Sequence, residues 1–205
     1  MQNIAAILLA AGESSRMGQS KALLGWEGIT LIRHQVDSLL EAGAWPVIVV
    51  LGHDPKPILP EIANRAIIVL NKNYKNGRSG SVKKGLKAIG ESSHDIAILG
   101  VDQPRSSSQL SILFKEHQKA KALISRPTFE GKHGHPIIFS RRLLPELLDI
   151  DDESQGLRDV VHRHEESIHD VKVSTTEVLL DLNSPEEYQA AIQPQGEKLN
   201  DSFLT

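Results

Sequence analysis

Apolar positions along the chain fall into two kinds of run. Ile4–Leu9, Val47–Leu51 and Ala66–Leu70 are apolar at every position, and Ile96–Val101 is so but for one glycine. Strands that lack polar positions are covered on both faces, as in a parallel sheet. Between them the apolar residues recur at helical spacing. Leu31, Val36, Leu39 and Leu40 mark one helix, which Gly43 ends. Val82, Leu86 and Ile89 share a face of a second helix over Ser81–Ile89, and Leu110, Leu113 and Phe114 do so in a third over Ser107–Lys119. Strands and helices alternating in this way predict βαβ units and a doubly wound α/β fold.

The second half is less regular. Ala122–Ser125, Pro136–Phe139 and Val178–Leu182 read as strands, and Arg142–Leu148 and Gln155–His164 as helices. Ser184-Pro185-Glu186-Glu187 combines a cap, a proline at the first helical position and acids in the first turn, so it starts a last helix. Without an internal repeat or a low-complexity linker, the pattern predicts a single domain over residues 1–192 and a polar tail over 193–205.

Composition narrows the function. The 205 residues hold no cysteine, which excludes disulfides, thiolate zinc sites and a cysteine nucleophile. A net charge of −3 argues against a general nucleic-acid binder. No stretch approaches the roughly 18 apolar residues that span a bilayer, and Met1-Gln2-Asn3 is not a basic leader. A cytoplasmic protein that binds neither membrane nor nucleic acid is the expectation.

Candidate chemistry gathers where strands end. The first strand runs into Leu8-Leu9-Ala10-Ala11-Gly12-Glu13-Ser14-Ser15-Arg16-Met17-Gly18-Gln19-Ser20-Lys21. Small residues at 10–12 let main chain approach a ligand, and successive N–H groups in such a turn form an anion site. Arg16 offers a planar fork for phosphate oxygens and Lys21 a mobile point charge. Five residues separate Gly12 from Gly18, so the loop is neither a Walker A motif nor a G-x-G-x-x-G fingerprint. The strand Ile96–Val101 ends in Asp102-Gln103-Pro104. A carboxylate there points into the crevice where open α/β sheets bind ligands, and one or two carboxylates suffice for Mg²⁺. Asp181 and Asn183 alternate along the expected strand before Ser184 and so share a face. After Ala66–Leu70, the loop Asn71–Gly80 leads to a helix capped by Ser79 or Ser81. His133 and His135 are only half a zinc site, and zinc is not expected.

The first loop resembles the signature of the MobA-like nucleotidyltransferases, and its Ala10-Ala11-Gly12 resembles the molybdenum cofactor cytidylyltransferases within them. GVDQP at 100–104, N-x-x-Y-x-x-G-x-x-x-S over 71–81, G-x-x-G-H-P over 131–136 and DLNSPEE over 181–187 are similar to the family's later elements, in order. Three places depart from it, one of them Leu157, which stands where the family has an alanine. Arg78 stands where an apolar residue is common, and Ser154-Gln155 replaces the aspartate expected before Gly156.

The resemblance implies a Rossmann-like, three-layer α/β fold of GT-A type with a mostly parallel central sheet. It implies transfer of a nucleoside monophosphate, CMP from CTP being favoured over GTP, to a phosphorylated small-molecule acceptor such as molybdopterin, with release of pyrophosphate. Arg16, Lys21 and Asp102 become the catalytic residues. Leu9, Ala10, Ala11, Gly12, Arg16, Lys21, Asn71, Gly80 and Ser81 line the nucleotide, and His135, Asp181 and Asn183 the acceptor. Asp102 and Asp181 hold Mg²⁺, and a molybdoenzyme is a further expected partner. A sugar-phosphate nucleotidyltransferase and a non-catalytic nucleotide-binding module serving a molybdoenzyme are the alternatives.

Overall fold

A computed structural model describes residues 4–90 and 94–193. The predicted tail therefore lies, apart from Gln193, outside the described residues. β1 (Ile4–Ala10) leads into the signature loop, and β2 (Gly25–Trp26) and β3 (Ile29–Thr30) form a two-stranded ribbon after it. There follow α1 (Leu31–Glu41), β4 (Ala44–Leu51), α2 (Leu59–Ile62), β5 (Ile67–Leu70), α3 (Arg78–Ile89), β6 (Asp95–Gly100) and α4 (Ser107–Ala120). The second half adds β7 (Ile124–Phe129), β8 (Lys132–His133), β9 (Ile137–Phe139), α5 (Leu144–Asp149), α6 (Leu157–Arg163), β10 (Ile168–Lys172) and α7 (Pro185–Ile192).

The strands join in the order β10-β7-β9-β6-β1-β4-β5, with β8 beside β7. β1 pairs in parallel with both β4 and β6, β4 with β5, and β7 with β10. β9 alone runs against its neighbours on this path, β6 and β7. The sheet is thus mostly parallel.

Alternation along β1 explains the three layers. Ile4, Ala6, Leu8 and Ala10 enter one core with α1 and α4, while Ala5, Ile7 and Leu9 enter the other with α3, α5 and α6. Every residue of β1 is buried, as its lack of polar positions requires. α3 comes so close that a Cβ on Gly85 would lie 2.6 Å from Ile7 Cγ2, so only glycine fits there. No helix among the described residues is long and apolar enough to cross a membrane.

Two expectations need correction. Val178–Leu182 is not a strand: Thr176–Leu179 is a 3-10 turn, and the residues after it run beside the Asp102 loop, with Leu182 N–H donating to Asp102 O at 2.8 Å. α3 begins at Arg78, and neither Ser79 nor Ser81 caps it. The Asp152 carboxylate, from the loop before α6, accepts from the N–H groups of Arg78 (3.0 Å) and Ser79 (3.1 Å) instead. Gly77, at φ +117°, makes room for that carboxylate. The helix start that the sequence predicts at Ser184 is found, and there Ser184 and Glu187 form a full capping box.

Candidate active site

The chain turns back at β1. From there it builds outward through β4 to β5, then returns to lay β6 on the other side. Loops leaving the carboxyl ends of β1 and β6 diverge there and leave a crevice. The signature loop occupies one lip. Ser14 and Gly18 both adopt left-handed backbone, and Lys21 N–H donates to Ser14 Oγ at 3.0 Å, which folds the loop onto itself. Tyr74 O–H and Lys75 both reach Glu13 from the middle loop, at 3.1 and 3.0 Å.

Inside the loop lies a cavity of about 190 Å³ whose walls include Leu9, Ala10, Gly12, Arg16, Lys21 and Asp102. Two cations and one carboxylate from opposite lips therefore face a common space. Lys21 Nζ lies 2.8 Å from Asp102 Oδ2 and 3.0 Å from Asn183 Oδ1. The contact joins β1's loop to β6's end and to the segment before α7.

The loop carrying Asp102 is held by groups that the sequence reading passed over. Gln35, fully buried on α1, donates through Nε2 to Gln103 O at 2.6 Å and accepts from Arg105 N–H at 3.2 Å. Arg105, itself 1% exposed, donates to main-chain carbonyls of Pro104, His135, Val178 and Leu180. Burial lowers its pKa to about 10, while the charges of Glu177, Asp181 and Asp102 oppose that fall. The guanidinium stays protonated and is a fixed positive charge beneath the carboxylates. A polar residue on the apolar stripe of α1 is the one signal that could have marked Gln35.

Asp181 is half-buried, and its pKa is raised, first by burial and then by the charge of Asp102; Asn183, Lys21 and Arg105 pull the other way. Two carboxylates close enough to repel, with an amide oxygen beside them, make a hard-oxygen donor set that suits a divalent cation. Among the described residues no three His, Asp or Glu side chains gather as a metal cage. A cation here would draw most of its ligands from phosphate and water, which is the habit of Mg²⁺.

Other expected residues fall elsewhere. Asn71 and Ser81 are buried and bonded to each other, Nδ2 to Oγ at 2.9 Å, and Asn71 Oδ1 also accepts from Asn73 N–H. They brace the turn into α3 and, like Gly80, are not among the residues around the Arg16 cavity. Ala11 is buried beside that cavity, with its carbonyl tied to His53 N–H at 3.1 Å. His135 lines a separate trough of about 490 Å³ together with Arg78 and Arg158. Its Nδ1 is buried without a hydrogen-bond partner among the described residues. Burial, then the charges of Arg105 and Arg78, lower the His135 pKa to about 4, so the ring is neutral near pH 7.

The profile of the MobA-like NTP transferase domain matches residues 6–168. The molybdenum cofactor cytidylyltransferase of Escherichia coli K12 is 27% identical over 196 residues, covering 93% of this chain and 96% of that protein. Nicotine blue oxidoreductase of Paenarthrobacter nicotinovorans is also 27% identical, over 165 residues, with 76% and 79% covered. Among solved structures, Rv0371c of Mycobacterium tuberculosis superposes with a TM-score of 0.82 at 23% identity, covering 94% of this chain and 98% of that one. A second structure of Rv0371c, a complex with manganese, gives 0.75 at 22% identity over 92% and 97%. At such identities the structural likeness speaks to the fold.

Proposed function

The chain belongs to the MobA-like NTP transferase family, and from that premise we propose that it transfers CMP from CTP to a phosphorylated small-molecule acceptor, molybdopterin being the favoured one, and releases pyrophosphate. Membership makes it a nucleotidyltransferase. The single observation that carries the site is the pairing of Lys21 with Asp102 across a cavity that also holds Arg16. Ala10-Ala11-Gly12 and the Escherichia coli relative support CTP and the molybdenum cofactor.

A phosphate monoester has a second pKa near about 6 and is mostly dianionic at pH 7. An acceptor oxygen can therefore attack the α-phosphorus without a general base. The bond to the pyrophosphate oxygen breaks as the new one forms. The barrier lies in bringing two polyanions together. Arg16 and Lys21 offset that repulsion and neutralise the leaving pyrophosphate. A divalent cation, taken as Mg²⁺ and held by Asp102 and Asp181, would add charge neutralisation and Lewis acidity at the phosphates. Arg105 and Gln35 keep the carboxylate-bearing segments fixed, so little reorganisation is required at the moment of transfer.

The test is pyrophosphate release from each of four NTPs with Mg²⁺ and molybdopterin, with sugar phosphates as rival acceptors. We expect release with CTP and molybdopterin. Asp102→Ala should abolish it while the melting temperature stays within a few degrees, since Asp102 is partly exposed and its main-chain bond to Leu182 survives. Near-normal turnover in that variant would remove the metal assignment. Nucleotide binding without release for any acceptor would favour a non-catalytic module, and consumption of a reduced cofactor an oxidoreductase.

A further inference from the structure

The ammonium of Lys21 sits on the oxygen that a divalent cation at Asp102 would need. Its Nζ lies 2.8 Å from Asp102 Oδ2 and 3.0 Å from Asn183 Oδ1. The other carboxylate oxygen, Oδ1, lies back against Gly100, so close that a Cβ there would collide with it. Oδ2 is therefore the oxygen turned toward the cavity, and Lys21 holds it. Ammonium and divalent cation seek the same hard oxygens, so they compete. Asp102 is moreover already compensated, by Lys21 in direct contact and by the charge of Arg105. A cation arriving alone has to displace a charge-assisted bond to reach a carboxylate whose charge is already matched.

The two compensating residues differ in freedom. Arg105 is 1% exposed and donates to carbonyls of Pro104, His135, Val178 and Leu180, so it is fixed. Lys21 carries its charge on a flexible four-carbon stem and borders the cavity that Arg16 also lines. Phosphates in that cavity would offer the ammonium several charged oxygens in place of one carboxylate. We propose that Lys21 is the resting counter-ion of Asp102 and makes cation binding depend on the nucleotide: the phosphates draw the ammonium off Oδ2, which is then free for the cation. Only the nucleotide's part rests on the transferase reading; the competition at Asp102 does not. The dependence is mutual, since a nucleotide that raises the affinity for the cation has its own affinity raised by the same factor. Removing Lys21 should thus strengthen binding of the cation alone. Were Lys21 there only to orient Asp102, its removal would weaken that binding.

The probe is Mn²⁺ alone, which takes oxygen ligands as Mg²⁺ does, titrated into the full chain with the free ion read by its paramagnetic resonance signal. Lys21→Met keeps most of the stem and drops the charge, and Lys21→Gln keeps a polar end in case the first variant folds poorly. Lys21 belongs to neither apolar core, and the melting temperature of each variant checks its fold. Both should bind Mn²⁺ about tenfold more tightly than the parent, the low end of what a charge-assisted bond is worth. Adding Asp102→Asn to Lys21→Met should abolish the gain. Affinity within twofold of the parent in both variants would overturn the counter-ion role, as would a gain that survives Asp102→Asn. The titration contains no nucleotide. A gain without pyrophosphate release from any NTP would leave that role standing and remove the transferase reading; release without a gain would do the reverse.

Discussion

The ammonium of Lys21 touches side chains 81 and 162 positions further along the chain. Its side chain is only 12% exposed, so it is a placed charge rather than a solvated one. Lys21→Ala removes that charge from a space lined by Asp102 and Arg16. We expect kcat/KM for the NTP to fall by about 10–100-fold, or roughly 1–3 kcal/mol of transition-state stabilisation. Lys21→Arg should recover little, because a rigid fork cannot take the position of a compact ammonium between Asp102 and Asn183. An unchanged kcat/KM in the alanine variant would confine Lys21 to the resting pairing seen here. Such residues were legible because each stands where an apolar run stops and main chain must turn. Arg105 was not. Beyond its neighbour Pro104, its partners are carbonyls of residues 30, 73 and 75 positions away, and a carbonyl leaves no mark in a sequence.

Between elements, the same point recurs at the foot of β6. The Asp95 carboxylate accepts from Arg141 N–H at 2.8 Å, just after β9, and its Oδ2 lies 3.3 Å from His117 Nε2 on α4. His117 Nδ1 meets Ser125 Oγ on β7 at 2.7 Å. One buried cluster thus ties α4, β6, β7 and the turn after β9. Burial raises the Asp95 pKa, but His117, Arg141 and Ser140 outweigh it, and the pKa lies below the ordinary 3.8. A carboxyl whose folded pKa is depressed contributes stability above its unfolded value and loses it as pH falls through the folded one. Asp95→Asn should therefore melt below the parent by a margin that is full above pH 3.8 and closes as the pH drops beneath it. A margin that does not vary with pH would show that the charge does not matter there. Apolar runs and helical spacing located most of these elements. They did not show that β9 runs antiparallel, since a hydrophobic pattern carries no direction. Nor did they show that 178–182 lacks a strand neighbour, since pairing depends on what lies alongside.

Over the whole molecule, a net charge of −3 does not show where charges of each sign stand. Arg16 and Lys21 share a cavity with Asp102, and Arg105 lies among the charges of Glu177, Asp181 and Asp102. Cations and carboxylates are thus gathered at the end of β6, the mixture that a polyanion and a divalent cation together require. That gathering was invisible to a sum over the chain, because Lys21, Asp102, Arg105 and Asp181 reach one region only through the fold. The site also joins the first loop to the segment before α7 through Lys21 and Asn183, so a ligand there should stabilise the molecule as a unit. At 100 times its Kd, a ligand that binds only the folded state adds about 2.7 kcal/mol. For a chain of this length each kcal/mol is worth roughly 2–4 °C, so CTP with Mg²⁺ should raise the melting temperature by roughly 5–10 °C. Chelating the cation should remove much of that rise in the parent and change little in Asp102→Ala, which lacks the carboxylate that would hold it. Equal shifts with all four NTPs would withdraw the preference for CTP alone. No shift with any of them would mean that the turn after β1 does not cup a nucleotide, and the charges gathered around it would need another polyanion to explain them.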